Sequence, residues 1–232
     1  MPQIGEDGQK KLASSSVVVI GAGGLGSPAL TYLASAGVGK LKVIDADVVV
    51  VSNLNRQFLH NENDIRRPKA RSAKETLAAL NSDIEITSHN ELLTKENAEN
   101  LLTGYDIVIG AVDSFDTRFV INQTCTLLKT PYIDGGVNGF SGSVFYSYPP
   151  GFACLNCIFP AKKTAKEPAE RIGVLGVTAG IIGVTLANIA IISLLGIKNP
   201  IENKLFLYDG LRMNTNLIDI KKDENCPICS QR

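Results

Sequence analysis

A short apolar run followed by clustered glycines constrains the fold of this chain most strongly. Residues 17–20 (VVVI) are apolar and lead directly into GAGGLG at residues 21–26. Such a run predicts a buried parallel strand, and the composition of residues 25–36 predicts a helix after it. A second apolar run at residues 41–44 ends at Asp45. The pattern therefore predicts a βαβ unit whose first turn is rich in glycine.

A glycine-rich turn of this kind is typical of nucleotide-binding sites, because the backbone can approach a phosphate and the helix N-terminus offers free N–H groups. Asp45 lies about 20 residues beyond the glycines, where an acid can accept hydrogen bonds from ribose hydroxyls. This much fits any dinucleotide-binding fold, including that of an NAD-dependent oxidoreductase. The candidate nucleotide contacts here are Gly21, Gly23, Gly24, Gly26 and Asp45.

Cationic residues beyond Asp45 argue against a simple dehydrogenase. The chain continues with SNLNRQ at residues 52–57 and RRPK at residues 66–69. An enzyme that handles a triphosphate must hold negative charge and neutralise the leaving group, whereas a dehydrogenase needs no cations at this point. Arg56 and Lys69 are therefore candidate phosphate contacts, with a solvated basic face as the alternative interpretation.

A carboxylate follows the fourth predicted strand, at the sheet edge where open α/β sheets bind ligands. Residues 106–111 (DIVIGA) predict that strand, and Asp113 comes directly after it. Asp113 can hold Mg²⁺ on nucleotide phosphates, since Mg²⁺ binds through one or two carboxylates plus phosphate oxygens. The alternative is that Asp113 or Ser114 caps the helix predicted over residues 114–129.

Two CxxC pairs, CLNC at residues 154–157 and CPIC at residues 226–229, predict a metal site. Four thiolates can close a tetrahedral zinc site, and with no open position we expect no catalytic role. Redox pairs and coincidence are the alternatives. Metal binding rather than a disulfide framework favours a reducing, cytoplasmic location. The predicted zinc ligands are Cys154, Cys157, Cys226 and Cys229, and the fifth cysteine, Cys125, is predicted to be buried and inert.

The remaining pattern predicts a single domain over residues 1–232. Its fold class is α/β: a doubly wound, Rossmann-like, mostly parallel sheet with an antiparallel C-terminal extension and a zinc-stapled tail. Further parallel strands are predicted at residues 84–87, 106–111 and 131–134, and Gly135 and Gly136 are expected to close the last of them. Helices are predicted at residues 4–12, 68–80 and 94–102, with Pro68 in the first helical position and Thr94 as N-cap. Antiparallel strands are predicted at residues 142–148, 204–208 and 213–220.

Charge and hydropathy exclude some partners. Lys plus Arg and Asp plus Glu both number 23, so no net field attracts nucleic acid or an anionic membrane, and the polar start predicts no signal peptide.

Residues 172–197 carry no charge and are long enough to span a bilayer. Because soluble-looking α/β sequence flanks them, we expect a central buried helix, in which Gly173, Gly176, Gly180 and Gly183 allow close packing.

The motifs GxGGLG, DxDxVxxSNLxRQ and PKxxxA together resemble the ubiquitin-activating-type adenylyltransferases, in particular the ThiF/MoeB/HesA group. The similarity covers nearly the whole chain. It implies that Arg56 and Lys69 contact ATP phosphates, with Asn53 beside them, and that Asp45 holds the ribose while Gly24 approaches the nucleotide. It also implies zinc at the CxxC pairs. The group's DNxxxR pattern stands here as DSFDTR, with Ser114 in place of the usual Asn.

The resemblance implies a reaction and its partners. A small ubiquitin-like sulfur-carrier protein ending in Gly-Gly attacks the α-phosphate of ATP through its C-terminal carboxylate. Acyl-adenylate and pyrophosphate form with Mg²⁺ present, and a sulfur donor then makes the thiocarboxylate. The group forms homodimers. A non-catalytic nucleotide-binding scaffold and an NAD-dependent oxidoreductase stay open as alternatives, and the sequence leaves the pathway open among thiamine, molybdopterin, tRNA thiolation and other sulfur metabolism.

Two departures from the group's pattern lead to further expectations. Many relatives carry a loop cysteine where this chain has Ala169, so a conjugating or acyl-disulfide role is not expected. Relatives also carry an N-terminal arginine that reaches the partner subunit's nucleotide site, and here no arginine precedes Arg56. Either the chain starts late or it lacks this contact, and we expect it to dimerise and bind ATP but to adenylate slowly. Gln57 is expected to order its loop, and His60 and His89 fit no catalytic triad.

Overall fold

Parallel strands joined by helices make up the N-terminal half of the protein, as a computed structural model covering residues 1, 4–160 and 173–230 describes it. Within those residues the strands form one eight-stranded sheet in the order β3-β2-β1-β4-β5-β6-β7-β8. The parallel strands are β1 (Ser16–Ile20), β2 (Lys40–Ile44), β3 (Glu85–His89), β4 (Ile107–Gly110) and β5 (Tyr132–Asn138), and the antiparallel ones are β6 (Ser141–Ser147), β7 (Lys204–Asp209) and β8 (Asn214–Asp219).

Helices connect these strands and cover the sheet. They are α1 (Gly5–Ser14), α2 (Gly26–Ser35), α3 (Lys69–Leu80), α4 (Ala98–Leu102), α5 (Phe115–Leu128), α6 (Leu155–Ile158) and α7 (Gly176–Leu194). Short 3₁₀ turns at Val51–Asn53 and Glu62–Asp64 interrupt the connection between β2 and α3. The expectations for Ala169 and for the start of the apolar segment at residue 172 lie outside the described residues, as do residues 2 and 3.

Alternate residues of β1 face opposite cores, which is why residues 17–20 of this strand are all apolar. Val17 and Val19 pack with α2, α3 and α7, whereas Val18 and Ile20 pack with α4 and α5. All four are at most 3% exposed. This arrangement confirms the predicted doubly wound sheet, and the antiparallel strands β6 to β8 confirm the predicted extension.

The prediction that Gly135 and Gly136 close the fifth strand is wrong. Strand β5 runs through both glycines and stays paired with β6 as far as Asn138. A Cβ on Gly135 would lie 2.7 Å from a Leu25 methyl and 2.8 Å from a Leu186 methyl. These glycines therefore make room for side chains packed over the sheet, and they do not turn the chain.

Two helix starts also differ from prediction. Helix α4 begins at Ala98, and its N-cap position is held by Asn97, whose side chain accepts a hydrogen bond from the Thr94 N–H at 2.8 Å. Thr94 thus opens a turn before the helix and does not cap it. Pro68 occupies the N-cap position of α3, so Lys69 is the first helical residue.

Helix α7, predicted as a central buried helix, packs on the sheet and on α2 through one face and leaves its other face exposed. Among the described helices, only α7 is long and apolar enough to cross a membrane. An 18-residue stretch of this helix has a mean hydropathy of 2.1, and 44% of that stretch is buried in the protein. It lies against α2, β5 and β6. Ile182 and Leu186 are fully buried, whereas Val177 is 66% exposed and Val184 39% exposed.

The glycines of this segment differ in function. A Cβ on Gly183 would overlap the Leu25 carbonyl and the Pro28 ring, so this glycine lets α7 cross α2 closely. A Cβ on Gly176 would lie 2.6 Å from the Asn55 carbonyl oxygen. Gly180 and Gly173 would have no heavy atom of the described chain within 4 Å of an added Cβ, so close packing does not explain them.

We expect Gly183→Ala to destabilise the protein by roughly 1–3 kcal/mol, because the methyl group must displace backbone and ring atoms of α2. The matched control is Gly180→Ala in the same helix, which should stabilise by about 0.5–1 kcal/mol because an interior helical Gly gains from Ala. Urea-denaturation midpoints measure both. Equal midpoints for the two variants would contradict the assigned α2–α7 crossing.

Candidate nucleotide site and cysteine cluster

Residues 21–26, here called the glycine loop, connect β1 to α2. Gly21 has φ = +97°, and a Cβ on it would overlap the Ala111 carbonyl at the end of β4. A Cβ on Gly26 would overlap the carbonyl oxygen of Gly21. Gly21 and Gly26 are therefore required by the tight turn itself.

Gly23 and Gly24 leave one side of the loop accessible. A Cβ on Gly23 would approach only the Gln57 side chain at 3.6 Å, and one on Gly24 would meet Ala179 at 3.2 Å and Arg56 at 3.3 Å. In the part of the chain that the structure describes, the N–H groups of Gly23 and Gly24 donate to no other group. Free N–H groups before a helix are suited to binding a phosphate.

Asp45 holds the glycine loop from the end of β2. Its Oδ2 accepts a hydrogen bond from the Ala22 N–H at 2.7 Å, and its Oδ1 accepts one from the Asp47 N–H at 2.8 Å. Burial raises the pKa of Asp45, while these two N–H donors oppose the shift. The carboxylate thus orders the loop, and its predicted contact with a ribose remains a prediction.

Lys69 lies at the start of α3 and forms an ion pair with Asp47, whose N–H in turn donates to Asp45. Its Nζ donates to Asp47 Oδ2 at 2.8 Å, and its backbone N–H donates to the Asp47 carbonyl at 2.9 Å. The side chain of Lys69 is 8% exposed and that of Asp47 is 72% exposed. Because solvent screens the exposed carboxylate, Lys69 remains available to a more highly charged group such as a phosphate.

Arg56 borders the accessible side of the glycine loop at Gly24. Its Nη1 donates to the Ser52 carbonyl at 3.0 Å and to Asn55 Oδ1 at 2.8 Å. Asn53, which is 9% exposed, accepts backbone hydrogen bonds from Arg56 and Gln57 and so fixes the turn that carries them. The structure thereby places Arg56 beside Gly24, and the predicted contacts of Asn53 and Arg56 with phosphate stay predictions.

Gln57 is buried under the loop, with 4% of its surface exposed. Its Oε1 has no hydrogen-bond partner among the described residues, and its Nε2 lies 3.6 Å from the position of a Cβ on Gly23. Gln57 thus packs beside Gly23, and its expected role in ordering the loop stays a prediction.

Asp113 and Ser114 lie at the same sheet edge, because Gly21 packs against the end of β4 two residues before Asp113. Both side chains are exposed. Ser114 holds the N-cap position of α5 without a side-chain capping bond, and Asp113 makes no hydrogen bond to the described residues. Capping therefore does not account for either residue, and Asp113 is left with a carboxylate that a cation can reach.

Sequence reasoning missed a buried ion pair below this edge. Arg118 Nε and Nη2 donate to the two carboxylate oxygens of Asp134 at 2.9 and 2.5 Å, and Nη2 also donates to the Gly135 carbonyl at 3.0 Å. The Tyr132 hydroxyl donates to Asp134 Oδ1 at 2.5 Å. The pair ties α5 to β5, and its only sequence signal was the final Arg of DSFDTR.

His60, which was assigned no role, contacts the glycine loop directly. Its Nε2 lies 3.0 Å from the Ala22 carbonyl oxygen and its Nδ1 lies 2.8 Å from the Ser72 hydroxyl. The side chain is 5% exposed, and burial lowers its pKa. No motif or periodicity in residues 58–67 marks this residue, which explains why sequence analysis did not find it.

The cysteine cluster brings together residues far apart in the chain. The Sγ–Sγ distance is 3.6 Å for Cys154–Cys226, 3.5 Å for Cys157–Cys229 and 4.0 Å for Cys154–Cys157. All four Sγ atoms lie within 4.8 Å of one another. Tetrahedral zinc with Zn–S bonds of 2.3 Å requires about 3.8 Å between sulfurs, so the four thiols fit the predicted zinc site.

The four thiols of the cluster differ in acidity without a metal ion. Burial raises the pKa of Cys154 to about 11 and also raises the pKa of Cys229, whereas N–H groups of Cys229 and Ile228 lower the pKa of Cys226 to about 7. Helix α6 begins just after Cys154 and is tied to α5 by a hydrogen bond from the Leu155 N–H to Asn122 Oδ1 at 2.9 Å. The cluster therefore joins the C-terminal tail to the body of the domain.

A separate cavity of about 340 Å³ lies between α5 and the tail. Its lining includes Lys95, Phe119, Gln123 and Ile228, and it contains none of the predicted nucleotide contacts. The predicted site and this cavity are thus different places in the molecule.

The fold is that of a doubly wound α/β protein with a glycine loop suited to a phosphate, and comparisons with known proteins show the family to which the chain belongs. The ThiF family profile matches residues 1–228. The sulfur carrier protein adenylyltransferase of Thermus thermophilus is 39% identical over 236 residues, covering 99% of this chain and 87% of that protein. The SAMP-activating enzyme E1 of Haloferax volcanii is 37% identical over 236 residues, covering 100% of this chain and 86% of that protein. The chain belongs to the ThiF family.

Solved structures agree on the fold. The crystal structure of E. coli MccB matches with a TM-score of 0.87 and 21% sequence identity, over 97% of this chain and 67% of that chain. At this identity the match supports the architecture alone, including the antiparallel extension.

We expect Arg118→Met to destabilise the protein by about 3–5 kcal/mol, because it leaves the Asp134 carboxylate buried without its cation. Arg118→Met combined with Asp134→Asn should recover much of this loss, since no unpaired charge then remains. Urea denaturation of the wild type, both single variants and the double variant gives the coupling energy. Additive effects of the two substitutions would show that the buried pair is not what stabilises this edge.

Proposed function

We propose that this chain is an ATP-dependent adenylyltransferase that activates the C-terminal glycine of a small ubiquitin-like sulfur-carrier protein. The observation that carries the proposal is the pair of cations, Arg56 and Lys69, near a glycine loop in which the Gly23 and Gly24 N–H groups donate to none of the described residues. The relatives from Thermus thermophilus and Haloferax volcanii, a sulfur carrier protein adenylyltransferase and a SAMP-activating enzyme E1, support the same activity.

The proposed reaction forms a mixed anhydride. A carboxylate oxygen of the carrier's terminal glycine attacks the α-phosphorus of ATP, and the bond from that phosphorus to the bridging oxygen of pyrophosphate breaks. No general base is needed, because a terminal carboxyl is already ionised at neutral pH. Catalysis then consists of positioning and charge stabilisation.

The predicted phosphate, metal and ribose contacts have different roles in this step. The Gly23 and Gly24 N–H groups cradle phosphate oxygens, while Arg56 and Lys69 neutralise the charge that develops on the leaving pyrophosphate. Asp113 holds Mg²⁺, which would supply further positive charge at the phosphates. Asp45 accepts hydrogen bonds from the ribose hydroxyls through its remaining lone pairs.

Sulfur transfer is assigned to a separate donor protein. Four of the five cysteines belong to the cluster. Cys125 is 1% exposed and burial raises its pKa, so it is not suited to nucleophilic attack. The acyl-adenylate is therefore the last species that this chain's own residues form.

The proposal also includes a zinc ion, a second copy of the chain and a location in a reducing compartment. Cys154, Cys157, Cys226 and Cys229 hold one Zn²⁺ with a structural role, which requires the reduced thiols of the cytoplasm. The exposed apolar face of α7, with Val177 and Val184, is the surface on which a homodimer would form, since exposed apolar patches mark association sites.

ATP–pyrophosphate exchange tests the function. We expect exchange that requires a carrier ending in Gly-Gly, and a loss of about 100-fold or more in Arg56→Ala and Lys69→Ala, since one preorganised charge contact is worth roughly 2.7–4 kcal/mol. Arg71→Ala, an exposed cation on the same helix as Lys69, is the matched control and should keep its activity. Exchange without any response to the carrier would favour a nucleotide-binding scaffold, and wild-type rates in both active-site variants would remove these residues from the site.

Metal analysis tests the cluster. We expect one zinc per chain in protein purified without chelator, and a lower melting temperature after chelation or in Cys226→Ser, because structural metal binding contributes to folding free energy. Cys125→Ser should leave the zinc content unchanged. Protein that is folded and free of zinc would contradict the assignment.

A further inference from the structure

A ring of hydrogen bonds connects the glycine loop to the helix that carries Lys69. Along one side, the Ala22 N–H donates to Asp45, which also accepts the Asp47 N–H, and Asp47 accepts Lys69 Nζ. The other side runs from the Ala22 carbonyl through His60 to Ser72, three residues beyond Lys69 on α3. His60 is the side chain that closes this ring.

The partners of His60 fix the tautomer of its neutral ring. A carbonyl oxygen can only accept, so Nε2 carries the hydrogen that binds the Ala22 oxygen. In the neutral ring Nδ1 is then the acceptor, and the Ser72 hydroxyl donates to it. Burial lowers the pKa of His60, in agreement with a neutral ring.

The bond to Ala22 controls the group that the proposed function needs. The Ala22 carbonyl and the Gly23 N–H belong to one planar peptide unit, so fixing the direction of the oxygen also fixes the direction of the N–H. Gly23 has no side chain to restrict rotation of this unit, and its N–H is free in the described part of the chain. Without His60, the peptide could rotate and the buried Ala22 carbonyl would lose its partner.

We propose that neutral His60 is a positioning residue, which holds the Ala22–Gly23 peptide from behind and keeps the Gly23 N–H aimed at the same phosphate chain as Lys69. The inference rests on the proposed function for the identity of the ligand. The loop geometry itself can be measured without any ligand.

The test compares His60→Leu, which removes both hydrogen bonds, with His60→Gln, whose amide N–H can still donate to the Ala22 oxygen. His89→Leu is the matched control, because the His89 side chain is partly exposed, contacts Glu91 and makes no hydrogen bond to the glycine loop, while its backbone carbonyl, which accepts the Asp45 N–H, is kept in the variant. Ser72→Ala removes only the donor to Nδ1. Amide hydrogen exchange of residues 21–30 in the nucleotide-free protein and the KM for ATP in pyrophosphate exchange are measured for all four variants.

We expect His60→Leu to speed exchange in residues 21–30 and to raise the KM for ATP by roughly tenfold or more, the effect of leaving a buried carbonyl unpaired. His60→Gln should restore most of both, and His89→Leu should match the wild type. A merely structural role would lower the melting temperature while leaving the KM of the folded enzyme unchanged, and that result would overturn the proposal.

The outcomes separate the two proposals. Faster loop exchange in His60→Leu supports the positioning role even if the wild type shows no pyrophosphate exchange, in which case only the proposed function fails. Wild-type loop exchange in a folded His60→Leu variant overturns the positioning role even if adenylation is active. If His60→Leu does not fold, the same loop measurement on Ser72→Ala decides, with unchanged exchange counting against the proposal.

Discussion

The close approach of backbone to backbone at Gly21 and Gly26 is the constraint on which the rest of the structure depends. No side chain fits at either position, so the turn after β1 can be this tight only with glycine. The tight turn brings the end of β4 against the glycine loop and starts α2 directly above β1. The ends of β1, β2 and β4 thereby form a single edge, where the loop, Asp45 and Asp113 meet.

Charge is arranged around this edge with little direct pairing. Arg56 is held by neutral oxygens of Ser52 and Asn55, and Lys69 pairs with a largely exposed carboxylate. Arg118, which is as buried as Lys69, is instead matched by the buried carboxylate of Asp134 within hydrogen-bond distance and serves to join α5 to β5. This difference in pairing separates cations suited to a ligand from the one that stabilises the fold.

Sequence alone was sufficient for the features that depend on local pattern. Apolar runs predicted the strands, CxxC spacing predicted the thiol cluster, and glycines with an acid beyond them predicted the loop and Asp45. Features that depend on tertiary partners could not be found. His60 is important because it contacts Ala22, which lies 38 residues earlier in the chain. Gly135 was predicted to close its strand because the side chains packed over it, Leu25 and Leu186, are far from it in the sequence.

A crystal structure with a non-hydrolysable ATP analogue tests the central claim most directly. The account predicts phosphate oxygens on the Gly23 and Gly24 N–H groups, with Arg56 and Lys69 in contact and the ribose on Asp45. Phosphates bound elsewhere, for example in the cavity lined by Phe119 and Gln123, or a glycine loop left empty at saturating analogue, would contradict it.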